Sequence, residues 1–205
     1  MENFSMDKNI CIFGDSITWG AYDPEGGGWA NRLRNYYELS GKDITVYNLG
    51  ISGDNSGDLL ERIEIESRAR EPEIIIISIG INDSQFVHSE SRHRIPIEQF
   101  ISNLENLYKI ANKYTQKVVF IGLADIDETK TTPIPWDKNK SYKSEWVRDY
   151  DHAINEFCAN RGLMFISMED IINKSDLEDG LHPNAVGHKK IFQRVRGFLT
   201  ENNKV

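Results

Sequence analysis

Four consecutive isoleucines, Ile74 to Ile77, constrain what this chain can fold into more than any other segment. A strand that is apolar on both faces must be covered on each side, as a central parallel strand is when helices pack above and below it. The wider apolar stretch, Ile74 to Ile81, is far too short to span a bilayer. The rest of the chain agrees with that placement. Apolar, β-branched runs predict strands near 9–14, 43–48, 73–79, 117–122 and 163–167, and helical spacing predicts helices near 28–40, 56–70, 96–115, 142–161 and 184–201. In the third helix Phe100, Leu104, Leu107, Ile110 and Ala111 share one stripe, and Pro96 suits its first turn. Repeated strand–helix units imply right-handed crossovers and a three-layer α/β/α sandwich. The expected sheet has five parallel strands in the order 2-1-3-4-5, with a crevice where strands 1 and 3 part. No repeat or linker interrupts the 205 residues, so one domain is expected over 1–205, with residues 1–8 as a loose tail.

Each of the first three strands ends in a small polar cluster. Gly14-Asp15-Ser16 follows strand one, Asn48 to Asp54 follows strand two, and Gly80-Ile81-Asn82-Asp83 follows strand three. In a parallel sheet these loops share one edge, where such folds bind their ligands. Far along the chain, Asp179 and His182 stand three residues apart just ahead of the last helix, and Pro183 keeps His182 out of that helix. The order Ser, Asp, His can supply a nucleophile, its orienting acid and its general base. Acyl transfer also needs donors for the oxyanion. Gly53 can offer a backbone N–H at close approach because it lacks a side chain, Asn82 carries a neutral amide, and the N–H of Ser16 itself is a third candidate at a helical turn.

With these residues in place, the chain resembles the SGNH hydrolase superfamily, also called the GDSL esterases and lipases. Gly14-Asp15-Ser16-Ile17 is similar to the first block of that family, with Ile for the usual Leu, and Asn48 to Gly53, Gly80 to Asp83, and Asp179 to Pro183 are similar to further blocks. The resemblance spans residues 14 to 183. It implies Ser16 as nucleophile, His182 as base, Asp179 as its orienting acid, Gly53 and Asn82 as oxyanion donors, a flavodoxin-like sandwich, hydrolysis of carboxylic esters or thioesters, and no cofactor. The Gly-x-Ser-x-Gly elbow of α/β-hydrolases is absent.

Other residues carry weaker signals. His152 and His188 read as helix-surface residues, and His88 and His93 as loop residues. Asp15, Asp54 and Asp83 read as helix caps and turn braces, with a divalent-metal phosphoesterase as the alternative; no metal site is expected. The stretch 123–141 reads as a long irregular loop, either a substrate wall carrying Trp136 or a surface insertion. Trp19 and Trp136 are candidates for stacking on a sugar or aryl group, and Trp29 reads as either pocket lining or core.

The charge argues about partners. With 32 acidic against 24 basic residues and a net charge of -8, no nucleic-acid partner is expected. Residues 1–8 hold no apolar signal core, and Cys11 and Cys158 read as buried reduced thiols, so a cytoplasmic protein without membrane insertion is expected. The expected activity is a serine hydrolase acting on short acyl or acetyl esters of small molecules through an acyl-enzyme. Acyl transfer to an alcohol, lysophospholipase or thioesterase action on the same site, and a non-catalytic binding module are the alternatives.

Overall fold

The computed structural model describes residues 8–201. In chain order its elements are β1 (Lys8–Gly14), α1 (Ser16–Trp19), α2 (Gly28–Leu39), β2 (Ile44–Gly50), α3 (Ser56–Arg70), β3 (Ile74–Ser78), β4 (Phe86–Val87), β5 (Arg92–His93), α4 (Ile97–Ala111), β6 (Val118–Ile121), α5 (Glu128–Thr131), β7 (Lys140–Ser141), α6 (Ser144–Ala159), β8 (Met164–Ile166) and α7 (Ala185–Glu201). Of the expected tail, residues 1–7 lie outside the described residues and Lys8 already opens β1. Among the described residues no helix is long and apolar enough to cross a membrane.

The main sheet is parallel, in the order β2-β1-β3-β6-β8. Counting only its own five strands, that is the order 2-1-3-4-5 expected from the sequence. The isoleucine run occupies the centre, and its alternation splits the core in two. Ile74 and Ile76 join Ile10, Ile12, Trp29, Leu33, Val195 and Leu199 beneath α2 and α7. Ile75 and Ile77 join Phe13, Leu59, Phe100, Leu104 and Phe157 beneath α3, α4 and α6. Consecutive side chains of a strand point to opposite faces, so a residue pair feeds both layers. At about 1.5–3 kcal/mol for each fully buried large apolar side chain, this central row is a principal source of stability.

The segment 123–141 departs from expectation. It is not structureless, since it contains α5 and β7, and β7 pairs with β4 in a second antiparallel sheet of order β5-β4-β7. Its isolated apolar residues Ile126 and Ile134 are buried with Tyr142, Ile81, Val147 and Leu181 in a third cluster over the carboxyl edge of the main sheet. Ile81 leads into Asn82 and Leu181 precedes His182. The excursion is therefore fastened to both ends of the candidate site.

Candidate active site

Register brings the polar clusters level. Gly14 at the end of β1 pairs with Gly50 of β2 on one side and Ser78 of β3 on the other. A side chain at Gly14 would meet Thr18 Oγ1 at 2.2 Å and the Ser78 carbonyl at 2.6 Å, so only glycine lets the chain turn here against its neighbour. The next residue, Asp15, caps the single turn of α1 by accepting from Ile17 N–H at 2.9 Å, and Ser16 is its first helical residue. An amino-terminal position leaves the Ser16 N–H without a partner inside the helix.

Ser16 Oγ lies 2.9 Å from His182 Nε2, across 166 residues of sequence. On the far side of the ring, His182 Nδ1 lies 2.7 Å from Asp179 Oδ2. The other Asp179 oxygen accepts from Leu181 N–H at 2.9 Å and His182 N–H at 2.8 Å, while Glu178 N–H closes onto the His182 carbonyl at 2.9 Å. Burial alone would raise the Asp179 carboxyl, but the His182 ring and backbone bonds outweigh it and hold it down at about 2. An ionised carboxylate only accepts, so Nδ1 carries the ring proton and the Nε2 lone pair faces the serine hydroxyl. All three side chains are largely buried, and Asp179 and His182 lie in a loop ahead of α7 as the proline implied.

Gly53 takes φ +90° in the turn Ile51 to Asp54, which Asp54 N–H closes onto the Ile51 carbonyl at 3.1 Å. Nothing lies within 4 Å of a Cβ built there. The positive backbone angle alone favours glycine here, and the open space beside it leaves the N–H approachable. The turn's hydrogen bond uses the N–H of Asp54; that of Gly53 has no hydrogen-bond partner among the described residues, and Arg94 Nη1 holds the Gly53 carbonyl at 2.9 Å. Asn82, buried at the end of the β3 loop, donates from Nδ2 to the Asp54 carbonyl at 2.9 Å. One amide hydrogen is thus left over.

The three aspartates are occupied as braces. Asp54 pairs with Arg62 at 2.8 Å, and Asp83 accepts from Ser56 N–H at 3.0 Å and from its hydroxyl, anchoring the start of α3. Among the described residues no three His, Cys, Asp or Glu side chains gather closely enough to hold a metal ion. Burial pushes Asp15 up to about 7, against the pull of the Ile17 N–H bond and the His182 charge. An ordinary Asp titrates at about 3.9, so the stability linked to this group is present below that value and is lost as pH rises through about 7. Asp15→Asn keeps an acceptor for Ile17 N–H and removes that loss. Its melting midpoint at pH 8 should exceed that of the parent by about 3 °C or more, with the gap closing toward pH 4. A midpoint at pH 8 equal to or below the parent's would contradict the buried charge.

The tryptophans divide. Trp136 is 56% exposed, and its ring centre lies 6.3 Å from that of His182. Trp19 is also exposed and borders a surface groove along β2 with Asn31, Tyr47 and Asn48. Trp29 is wholly buried, both in the core and in the wall of a small cavity under the sheet edge. Sequence reasoning missed Tyr22, half exposed with its ring centre 5.5 Å from that of His182. Tyr22 sits at φ +63°, next to Asp23, which Arg32 and the Gly26 and Gly28 N–H groups grip. The structure corrects the expectation of His188 as a helix-surface residue. It is fully buried, donates from Nε2 to the Ala21 carbonyl at 2.8 Å and accepts from Trp29 N–H at 3.3 Å, and burial lowers its pKa. His188 keeps phase with buried Ile191, Val195 and Leu199 along α7, a signal that was available. His152 is exposed as expected. His88 opens a short 3-10 turn and His93 lies in β5, so neither sits in a plain loop.

Comparison with known proteins places these features in context. The model of the GDSL-like lipase/acylhydrolase family matches residues 12–190. A GDSL esterase/lipase of Arabidopsis thaliana is 24% identical over 94% of this chain and 78% of its own length. An arylesterase of Vibrio mimicus is 25% identical over 95% of this chain and 90% of its own length. The crystal structure of a lipase/acylhydrolase from Enterococcus faecalis, 22% identical, superimposes with a TM-score of 0.75 over 95% of this chain and 96% of that one, a likeness of fold.

Proposed function

This chain belongs to the GDSL-like lipase/acylhydrolase family and is an ester hydrolase, and we propose that it cleaves short acyl esters of aryl or sugar alcohols through an acyl-enzyme on Ser16. The observation that carries this reading is the unbroken line from Ser16 Oγ through the His182 ring to Asp179, at 2.9 and 2.7 Å. As the Ser16 oxygen attacks the ester carbonyl, its proton passes to His182 Nε2 and the ring charge is balanced by Asp179. The carbonyl oxygen, now negative, receives hydrogen bonds from the N–H groups of Gly53 and Ser16 and the free amide hydrogen of Asn82. Collapse expels the alcohol, which takes the proton from Nε2. Water then repeats the sequence on the acyl-serine and restores the enzyme.

Two features support the substrate class. The leaving oxygen must approach His182 Nε2, and Tyr22 and Trp136 present exposed rings beside that histidine. The segment beyond β6 is mixed polar, with Asp125, Asp127, Glu128 and Lys130, and supplies no long apolar wall against which an acyl chain could be buried. Among p-nitrophenyl esters, acetate and butyrate should be cleaved faster than laurate or palmitate. Trp136→Ala should raise KM for an aryl acetate by about 2–10-fold while leaving ethyl acetate nearly unaffected, given 0.5–1.5 kcal/mol for an aromatic pair. A steady rise of kcat/KM out to twelve carbons would refute the short-acyl assignment, and equal effects of Trp136→Ala on both acetates would refute the stacking one.

A further inference from the structure

We infer that Tyr142 is a positioning residue for this reaction, its hydroxyl holding the Asn82 amide in the one orientation that turns a hydrogen toward the oxyanion. The inference rests on the reading of Asn82 as an oxyanion donor. Tyr142 is 1% exposed, and its hydroxyl donates to Asn82 Oδ1 at 3.0 Å. The same hydroxyl oxygen accepts from Gln85 Nε2 at 2.7 Å.

The polarity of this chain is fixed from its backbone end. The Asp54 carbonyl can only accept, so Asn82 must turn Nδ2 toward it and Oδ1 away. Oδ1 can only accept, so the single proton of the Tyr142 hydroxyl must point at it. Gln85 then has to offer its nitrogen, and Gln85 Oε1 finds no partner among the described residues. The two ends of an asparagine amide are nearly alike in shape, so packing alone scarcely distinguishes Asn82 from its flipped form. Flipping would set Oδ1 against the Asp54 carbonyl and leave the Tyr142 proton without an acceptor. Removing the hydroxyl deletes one of the two bonds that decide the orientation and leaves Oδ1 buried and unsatisfied, a state that folded proteins avoid. Burial, with the nearby Asp15 charge, raises the Tyr142 phenol, so it stays a donor across neutral pH.

The backbone around Tyr142 is held as firmly as its ring. Its N–H donates to the Thr131 carbonyl at 2.9 Å, and its carbonyl accepts from Thr131 Oγ1 at 3.0 Å and Thr132 Oγ1 at 2.7 Å. Immediately before it, Ser141 pairs with Phe86. The long excursion after β6 thereby gains a definite role, delivering one hydroxyl to an amide 60 residues away in sequence.

Tyr142→Phe tests this, because it keeps the ring that fills the third cluster and removes only the hydroxyl, so the fold is retained. Expected is a fall in kcat of about 5–30-fold with KM within twofold, an unchanged shape of the pH profile, and a parallel fall in the rate of inactivation by a phosphonate ester. In the Asn82→Ala background the same change should have no further effect on kcat, since no amide remains to be oriented. A fully active Tyr142→Phe beside an impaired Asn82→Ala overturns the inference and leaves the oxyanion reading intact. An undiminished effect in the Asn82→Ala background also overturns it, showing that Tyr142 acts by another route. If Asn82→Ala itself is fully active, the oxyanion reading falls and the inference with it.

Discussion

Ser16→Ala and His182→Ala are each expected to lower kcat for an aryl acetate by about 10⁴–10⁶-fold, with the double variant little worse than either. The Oγ–Nε2 contact makes the two side chains one device. A serine without its base is a poor nucleophile, and the base without the serine has nothing to activate. A fluorophosphonate ester separates the roles, because it should label His182→Ala slowly and Ser16→Ala not at all. Strictly additive losses, or persistent hydrolysis in Ser16→Ala, would move the chemistry elsewhere. The structure holds a second pair of this kind, Ser141 Oγ and His88 Nε2 at 2.8 Å. Ser141 is fully buried in the small antiparallel sheet, where no ester reaches it. Asp179, held at about 2, is ionised throughout the range in which such an enzyme is assayed, so in the proposed mechanism it orients the imidazole and balances its charge without taking the proton.

How much of this was legible in the sequence differs by type of interaction. The isoleucine row, the five-strand order and the level ends of the first three strands followed from periodicity and handedness, which act locally and uniformly. Ser16, Gly53, Asn82, Asp179 and His182 could be named because a parallel sheet brings its strand ends to one edge and because the blocks around them together resemble those of the GDSL family, although serine, asparagine and glycine are each common in turns. What could not be read is what depends on a single distant partner. Nothing around Tyr142 announces a bond to Asn82, and nothing in the polar stretch around Ile126 and Ile134 says that these two apolar residues will meet Ile81 and Leu181. Tyr22 was hidden for the same reason, since it reaches His182 only because Asp23 and Arg32 fold its loop back. His188 is a different case. Its place on the apolar stripe of α7 is visible in the sequence, and there helical phase decides burial even for a polar side chain.

Asn82→Ala should lower kcat by about 10²–10³-fold with little change in KM, because its spare amide hydrogen has its full partner only once the carbonyl oxygen becomes an oxyanion. The geometry adds a second consequence that a simple donor would lack. Asn82 also satisfies the Asp54 carbonyl and the Tyr142 hydroxyl, both in buried surroundings, at 2.9 and 3.0 Å. Truncation strands both groups, at about 1–3 kcal/mol for each that water cannot reach, so the variant should melt at a lower temperature than the parent. The two effects can be told apart. A loss of fold would lower the concentration of active enzyme and would be relieved by assaying well below the melting midpoint, whereas a lost oxyanion donor lowers kcat at every temperature. Asn82→Asp is the sharper comparison, since it keeps the shape and an acceptor for Tyr142 but, when ionised, sets a negative charge where another must develop. It should be at least as impaired as Asn82→Ala in kcat. Near-normal turnover in the aspartate variant would mean that the amide does not face the oxyanion, and Asn82 would then be a brace for the Asp54 turn.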